Sequence, residues 1–222
     1  MSDSPRGRGG PLYALLTAMD IGDEVVARDT LAHHPDLAAV RARGASMVRL
    51  AAYAHMADLV GDLLAAEVPL DVFDAAALGR VGDLQARLDA DPARRDAVSE
   101  DGFTPLHLAA FFGQLRATEL LLNRGAPCDP VSTNELAVHP INSAAANAHE
   151  VVVHLLLDHG ADADATMNGG YRPLHAAAHN DSPAMVRLLL DRGADPNART
   201  DQGATPADVA IGDEVRAIFA GL

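Results

Sequence analysis

The sequence predicts an all-α chain, built as a linear stack of helix-turn-helix units with short loop hairpins between them. Three observations point there. Pro105, Pro140, Pro173 and Pro206 are separated by 35, 33 and 33 residues, a period that signals a repeat architecture. The first three prolines are each followed, at one distance, by an alanine pair (Ala109 and Ala110, Ala144 and Ala145, Ala177 and Ala178) and then by a leucine triplet (Leu120 to Leu122, Leu155 to Leu157, Leu188 to Leu190). Aromatic residues make up only 4% of the 222-residue chain and Trp is absent, so the core must come from Ala, Leu and Val, which suits thin, closely stacked helices.

Each element has its own justification. Thr104 offers a hydroxyl to cap a helix, and Pro105 takes the first helical position, where its missing N–H costs nothing. The alanine pair lets this short helix lie close to its neighbours, and the leucine triplet marks the buried stretch of a second, antiparallel helix. Three residues after each triplet stands Gly125, Gly160 or Gly193, able to take the left-handed conformation that ends a helix. One such unit exposes too much apolar surface to be stable alone, so units must stack on each other.

The stretches DGFTPLHLAAFFG (Asp101 to Gly113), ELLLNRGA (Glu119 to Ala126), GGYRPLHAAA (Gly169 to Ala178) and VRLLLDRGADPNART (Val186 to Thr200) resemble ankyrin repeats. The resemblance is close over Asp101 to Asp201, and Ala204 to Val209 read as a shortened last repeat with a second helix at Glu214 to Phe219. It implies an ankyrin-repeat solenoid with loop-hairpin fingers. It further implies that His107 and His175, in the TPLH-like motif, make structural hydrogen bonds between neighbouring loops. Asn142 stands at the equivalent place of the intervening unit and can also donate and accept.

The amino-terminal half is more degenerate. Subtracting 58 aligns Gly44, Ser46, Leu50, Ala51 and Ala52 with Gly102, Thr104, Leu108, Ala109 and Ala110, and Pro35 before Gly44 echoes Pro92 before Gly102. From Met47 to Asp71 the spacing is only 24 residues, so the intervening hairpin is expected to be short or absent, with a local kink. The expected organisation is a flexible tail at 1–10, diverged repeats at 11–100, three well-matched repeats at 101–202 and a capping repeat at 203–222.

The formal net charge is −14, from 31 acidic residues against 17 basic ones, all of them Arg, which opposes the phosphate attraction behind most nucleic-acid affinity. The Arg bias suggests GC-rich coding and hence a bacterial source. The single cysteine, Cys128, excludes an intramolecular disulfide, and neither a signal-peptide core nor a membrane span is legible, so a cytoplasmic location is expected. The polar last unit, with Asp208, Asp213, Glu214 and Arg216, reads as a solvent-facing cap and points to a monomer.

The histidines do not read as a metal or catalytic constellation. His149 and His154 are five apart, about 140° around a helix, where a zincin motif needs four. His175 and His179 have chelating spacing, but the motif already assigns His175 a structural role. Cys128 beside Asp129 sits where a thiol pKa rises. No phosphate-binding loop or nucleophile elbow occurs, so no cofactor, metal or catalytic residue is assigned.

The family geometry implies a concave face formed by the first helices, with the hairpins as fingers. By register, Tyr53, Phe111, Phe112, Asn147, His179 and Asn180 belong to that face, and Glu135, Tyr171 and Arg172 to the fingers. Adjacent aromatics on a short helix should point apart, leaving Phe111 and Phe112 either as groove anchors or as packing between repeats. The 35-residue unit implies a longer second finger, Ser132 to Leu136. The expected function is a protein–protein interaction scaffold for a partner of basic or mixed charge. The alternative is an enzyme or small-ligand binder with a pocket in the irregular amino-terminal repeats, lined by Tyr53, His55, Asp74 and Arg80.

Overall fold

Helix starts and stops written into the sequence set the architecture. The structure, a computed structural model, describes residues 9–222; all of the expected tail except Gly9 and Gly10 lies outside the described residues. There are two compact units, one ending at Asp74 and the other spanning Ala75–Leu222.

In the first unit, helices α1 (Pro11–Ile21) and α2 (Glu24–His33) pack together, α2 packs on α4 (Ala57–Ala65), and α4 pairs with α3 (Met47–Tyr53). Before α3 comes a two-stranded antiparallel ribbon, β1 (Arg41–Ala42) and β2 (Ala45–Ser46). Its two turn residues, Arg43 and Gly44, have φ of 52° and 79°, the left-handed pair that a two-residue hairpin demands. Ser46 then caps α3 by accepting from the Arg49 N–H at 3.1 Å, as its alignment with Thr104 anticipates. Arg49 is wholly buried; its Nη2 donates to the Gly44 carbonyl at 2.8 Å and its guanidinium lies 5.6 Å from the Phe73 ring centroid. After α4 the chain runs through residues 66–71 into α5 (Val72–Ala77) without a strand pair, as the short spacing requires. A reciprocal cap starts α5: Asp74 N donates to Asp71 Oδ1 at 2.8 Å, and Asp71 N to Asp74 Oδ2 at 3.2 Å.

In the second unit, α6 (Val81–Ala90), α7 (Pro105–Phe111), α8 (Leu115–Asn123), α9 (Pro140–Ala146), α10 (Glu150–Asp158), α11 (Pro173–His179), α12 (Pro183–Asp191), α13 (Pro206–Val209) and α14 (Asp213–Ala220) form two rows. In one row α7 packs on α9, α9 on α11 and α11 on α13; in the other α6, α8, α10, α12 and α14 follow each other. The chain is thus an all-α ankyrin-type solenoid. The second helices end in three copies of one motif. Gly125, Gly160 and Gly193 have φ of 80°, 90° and 93°, and donate to Leu122, Leu157 and Leu190 at 2.9, 3.1 and 3.0 Å. The next alanine donates to Leu121, Leu156 or Leu189 at 3.0 Å, which satisfies the carbonyls a helix end leaves free. Those middle leucines are the fully buried members of each triplet.

The hairpins are bonded edge to edge. Thr133 N donates to Gly102 O at 2.9 Å, Asn168 N to Leu136 O at 3.0 Å, and Asp201 N to Gly169 O at 2.9 Å. In the third finger the receiving and passing residues, Asn168 and Gly169, are adjacent. In the second they are Thr133 and Leu136, so the two additional residues of the 35-residue unit are Asn134 and Glu135. Asn134 organises the insertion: its Nδ2 donates to Asp101 O at 2.9 Å, and its Oδ1 accepts from Leu136 N at 3.1 Å and Ser132 Oγ at 3.0 Å.

Candidate functional site

The third helical position of each first helix sets the spacing between repeats. His107 Nδ1 accepts from Thr104 N at 3.2 Å, and Nε2–H donates to Val138 O of the next repeat at 2.9 Å. His175 does the same with Arg172 N at 3.3 Å and Ala204 O at 3.1 Å. Asn142 reproduces both bonds without an imidazole, accepting from His139 N at 3.1 Å and donating to Ala165 O at 2.9 Å. Burial depresses the His107 pKa to about 4, and burial also lowers that of His175. A second proton on His107 would have to displace the Thr104 N–H bond in a buried site. These are the structural bridges that the resemblance implies.

Beside the His175 bridge the first-helix face opens into a cavity of about 190 Å³. Its apolar walls are Ala146, Met167, Ala176 and the Tyr171 ring, with Arg172, His179 and Asn180 at hand and Asn142 and His175 beneath. Tyr171 is 43% exposed, and its ring stands 5.7 Å from that of His175 at a steep angle. His179 is exposed. The Arg172 guanidinium is held by Asp164, which neutralises its charge locally. The Asn180 amide donates to Ala145 O and Ala146 O, each at 3.0 Å, tying α11 to the end of α9. Four of the nine sequence-predicted residues therefore meet at one place.

The others lie elsewhere. Phe111 and Phe112 are half-buried and touch each other edge-to-face, centroids 4.9 Å apart at 78°, instead of pointing apart. The reason is that Phe112 is the cap residue beyond the end of α7, with a non-helical backbone that turns its ring back on its neighbour. Asn147 occupies the equivalent cap of α9 and donates to Ser143 O at 2.9 Å. Glu135 is exposed at the second finger, its backbone carbonyl accepting from Asn168 Nδ2 at 3.0 Å. Tyr53 belongs to the first unit, where it lines a cavity of about 170 Å³ with Leu16, Met19, Leu50 and the Asp20–Arg43 ion pair. Of the other residues suggested for an amino-terminal pocket, His55 is exposed on a left-handed turn, Asp74 is buried and accepts from Ser46 Oγ at 2.6 Å, and Arg80 pairs with Asp83 at 3.0 Å.

Sequence reasoning missed a second set of bridges on the side opposite the fingers. Gln114 Nε2 donates to Ala77 O at 3.2 Å, and His149 Nε2–H to Phe111 O at 3.0 Å, so each repeat satisfies the exposed carbonyl end of the preceding first helix. Polar residues just after the inter-helix turn were the available signal. Among the described residues no group of three or more His, Cys, Asp or Glu side chains could hold a metal. Burial and the neighbouring Asp129 push the Cys128 thiol upward, away from nucleophilic use. No helix of the described residues is long and apolar enough to cross a membrane.

Known proteins supply the context. Models of the ankyrin repeat match residues 101–135 and 156–210. A stretch of 93 residues, 42% of this chain, is 36% identical to the ankyrin repeat protein nuc-2 of Neurospora crassa. Over 92 residues the chain is 30% identical to the 26S proteasome non-ATPase regulatory subunit 10 of Dictyostelium discoideum, and over 93 residues 40% identical to the probable E3 ubiquitin-protein ligase XBOS31 of Oryza sativa, covering 41% of this chain in each case. The matched stretches span 8%, 39% and 20% of these three relatives. With the repeat period, the caps and the inter-repeat bridges in place, the chain belongs to the ankyrin repeat family.

Proposed function

We propose that this chain is a protein–protein interaction module whose contact surface centres on Tyr171 and His179 and extends along the fingers to Glu135. The observation that carries this reading is the gathering of Tyr171, Arg172 and His179 around an apolar cavity of about 190 Å³ on the first-helix face. An aromatic side chain at the rim of an apolar depression is the usual form of a binding anchor, because its area is large and few rotamers are lost. The cavity is too small for a cofactor and suits a single apolar side chain of a partner. Its relatives support a binding role: a proteasome subunit and a probable ubiquitin ligase have different names but share the same kind of repeats. The net charge of −14 favours a partner of basic or mixed charge, and we infer a cytoplasmic monomer.

The test is to capture partners on the immobilised chain, identify them, and titrate the purified partner against wild type, Tyr171→Ala and His179→Ala, with circular dichroism to establish folding. Tyr171→Ala should weaken binding by about 2 kcal/mol, roughly thirtyfold. Unchanged affinity in both folded variants would refute the site.

A further inference from the structure

Asn168 is followed by glycine, whereas the other six asparagines, Asn123, Asn134, Asn142, Asn147, Asn180 and Asn197, are followed by residues with side chains. It is exposed at the third finger, and its Oδ1 stands 3.0 Å from the Gly169 backbone nitrogen. In that contact the Gly169 N–H donates to the side-chain amide whose carbon it would attack, so nucleophile and target amide are already neighbours. A Cβ at residue 169 would meet nothing closer than the Tyr171 ring at 3.6 Å, so little of the rest of the chain packs against this residue. The amide is held in this pose by Nδ2 donating to Glu135 O at 3.0 Å.

We propose that Asn168–Gly169 is a site of spontaneous covalent modification, where Asn168 closes to a succinimide and reopens as aspartate or isoaspartate. Hydroxide removes the Gly169 N–H proton and the nitrogen attacks Asn168 Cγ. As the new C–N bond forms, the Cγ–Nδ2 bond breaks, and ammonia leaves with a proton from water. Water then adds to either ring carbonyl and breaks one ring C–N bond, so one water is consumed and one ammonia released overall. The product has no Nδ2 donor for Glu135 O and sets a carboxylate against that carbonyl. The isoaspartyl form also adds a methylene to the backbone, displacing the Asn168 N–Leu136 O bond of 3.0 Å that joins the second and third fingers. Met167 and Tyr171 flank the altered residue, so the modification acts on the wall of the cavity. The chemistry does not depend on the binding reading.

The folded full-length chain is incubated at mildly alkaline pH and mapped by peptide mass spectrometry with an isoaspartate-specific methylation assay. Conversion at residue 168 should outpace that at the other six asparagines, and Gly169→Ala, which supplies a Cβ and makes no new Asn–Gly pair, should bring it down to their level, with circular dichroism to establish folding at a position of positive φ. Amide exchange at residue 168 in Asn168→Asp should be about fivefold faster than in wild type, the factor matching one hydrogen bond of roughly 1 kcal/mol. Asn168 remaining intact in the folded chain, over a time in which the urea-unfolded chain converts it, would overturn the proposal.

Discussion

Replacing His107 by Asn should flatten the pH dependence of stability between pH 7 and pH 5. In the folded chain His107 is 1% exposed; Nε2–H is committed to Val138 O and Nδ1 accepts from Thr104, so the neutral ring is favoured and the pKa falls to about 4. An unfolded histidine titrates near 6.5, so between these values the unfolded chain binds more protons than the folded one, and stability falls as pH falls. At about 1.4 kcal/mol per pH unit the full loss is about 3 kcal/mol, reached below pH 4, and about 2 kcal/mol of it falls between pH 7 and pH 5. Asn142 shows that an amide makes both bonds from this position without titrating. The carboxylates whose pKa is held down, Asp20 by Arg43, Asp158 by Arg192 and Asp208 by Thr205, contribute stability above the ordinary carboxylate pKa and lose it only at lower pH, outside the window. His175, also depressed, contributes equally to both proteins. Urea unfolding followed by far-ultraviolet circular dichroism at pH 7, 6 and 5 should show the wild type losing about 2 kcal/mol more than His107→Asn. Equal losses would mean that His107 titrates normally in the fold and that its bridge does not fix its protonation.

Two backbone predictions follow from left-handed positions. Ala148 has φ of 58° at the inter-helix turn where Gly113 stands one repeat earlier; Ala148→Gly removes about 1–2 kcal/mol of strain against an entropic loss of about 0.4–1, so stability should rise by roughly 0.5–1 kcal/mol and the thermal midpoint by a few degrees. Gly170 has φ of 75°, and a Cβ there would lie 2.9 Å from Asp201 N, which donates to Gly169 O between fingers; Gly170→Ala should cost about 1–3 kcal/mol and speed amide exchange at Asp201.

The helices of residues 101–222 were legible because their ends are encoded locally. Thr104 and Pro105 start a helix and Gly125 stops one through bonds made within a few residues, so the residue type alone carries the information. The amino-terminal half carries weaker marks of the same device. Glu67, with φ of 54°, closes α4 where glycine closes the later second helices, so a search for glycine passes over it. The site was half legible. Register assigned His179 and Asn180 to the first-helix face and Tyr171 to a finger, and the structure brings all three to one cavity, but register could not reveal that the Asn180 amide is spent on carbonyls of the preceding repeat, 34 and 35 residues away. The Phe111–Phe112 contact escaped because the helix ends between them, and a period of 3.6 residues no longer governs the second ring.

The third helical position shows why the residue type there varies while the fold persists. Where the next loop presents a carbonyl, a side chain that accepts at one end and donates at the other is required, and His107, Asn142 and His175 meet that requirement in two chemistries. Asp208 holds the same position before α14 and only accepts, from Thr205 N at 2.8 Å and Thr205 Oγ1 at 2.7 Å, closing its own turn and offering no donor to a neighbour. Asp74 turns the bridge around. It closes its turn with Asp71 and takes a hydrogen bond from Ser46 Oγ, the cap of the preceding first helix, across a connection that lacks a finger. Burial raises the Asp74 pKa, and the Ser46 hydroxyl opposes the rise. What is constant along the array is therefore a polarity requirement set by the adjacent loop, and the residue follows from which groups that loop presents.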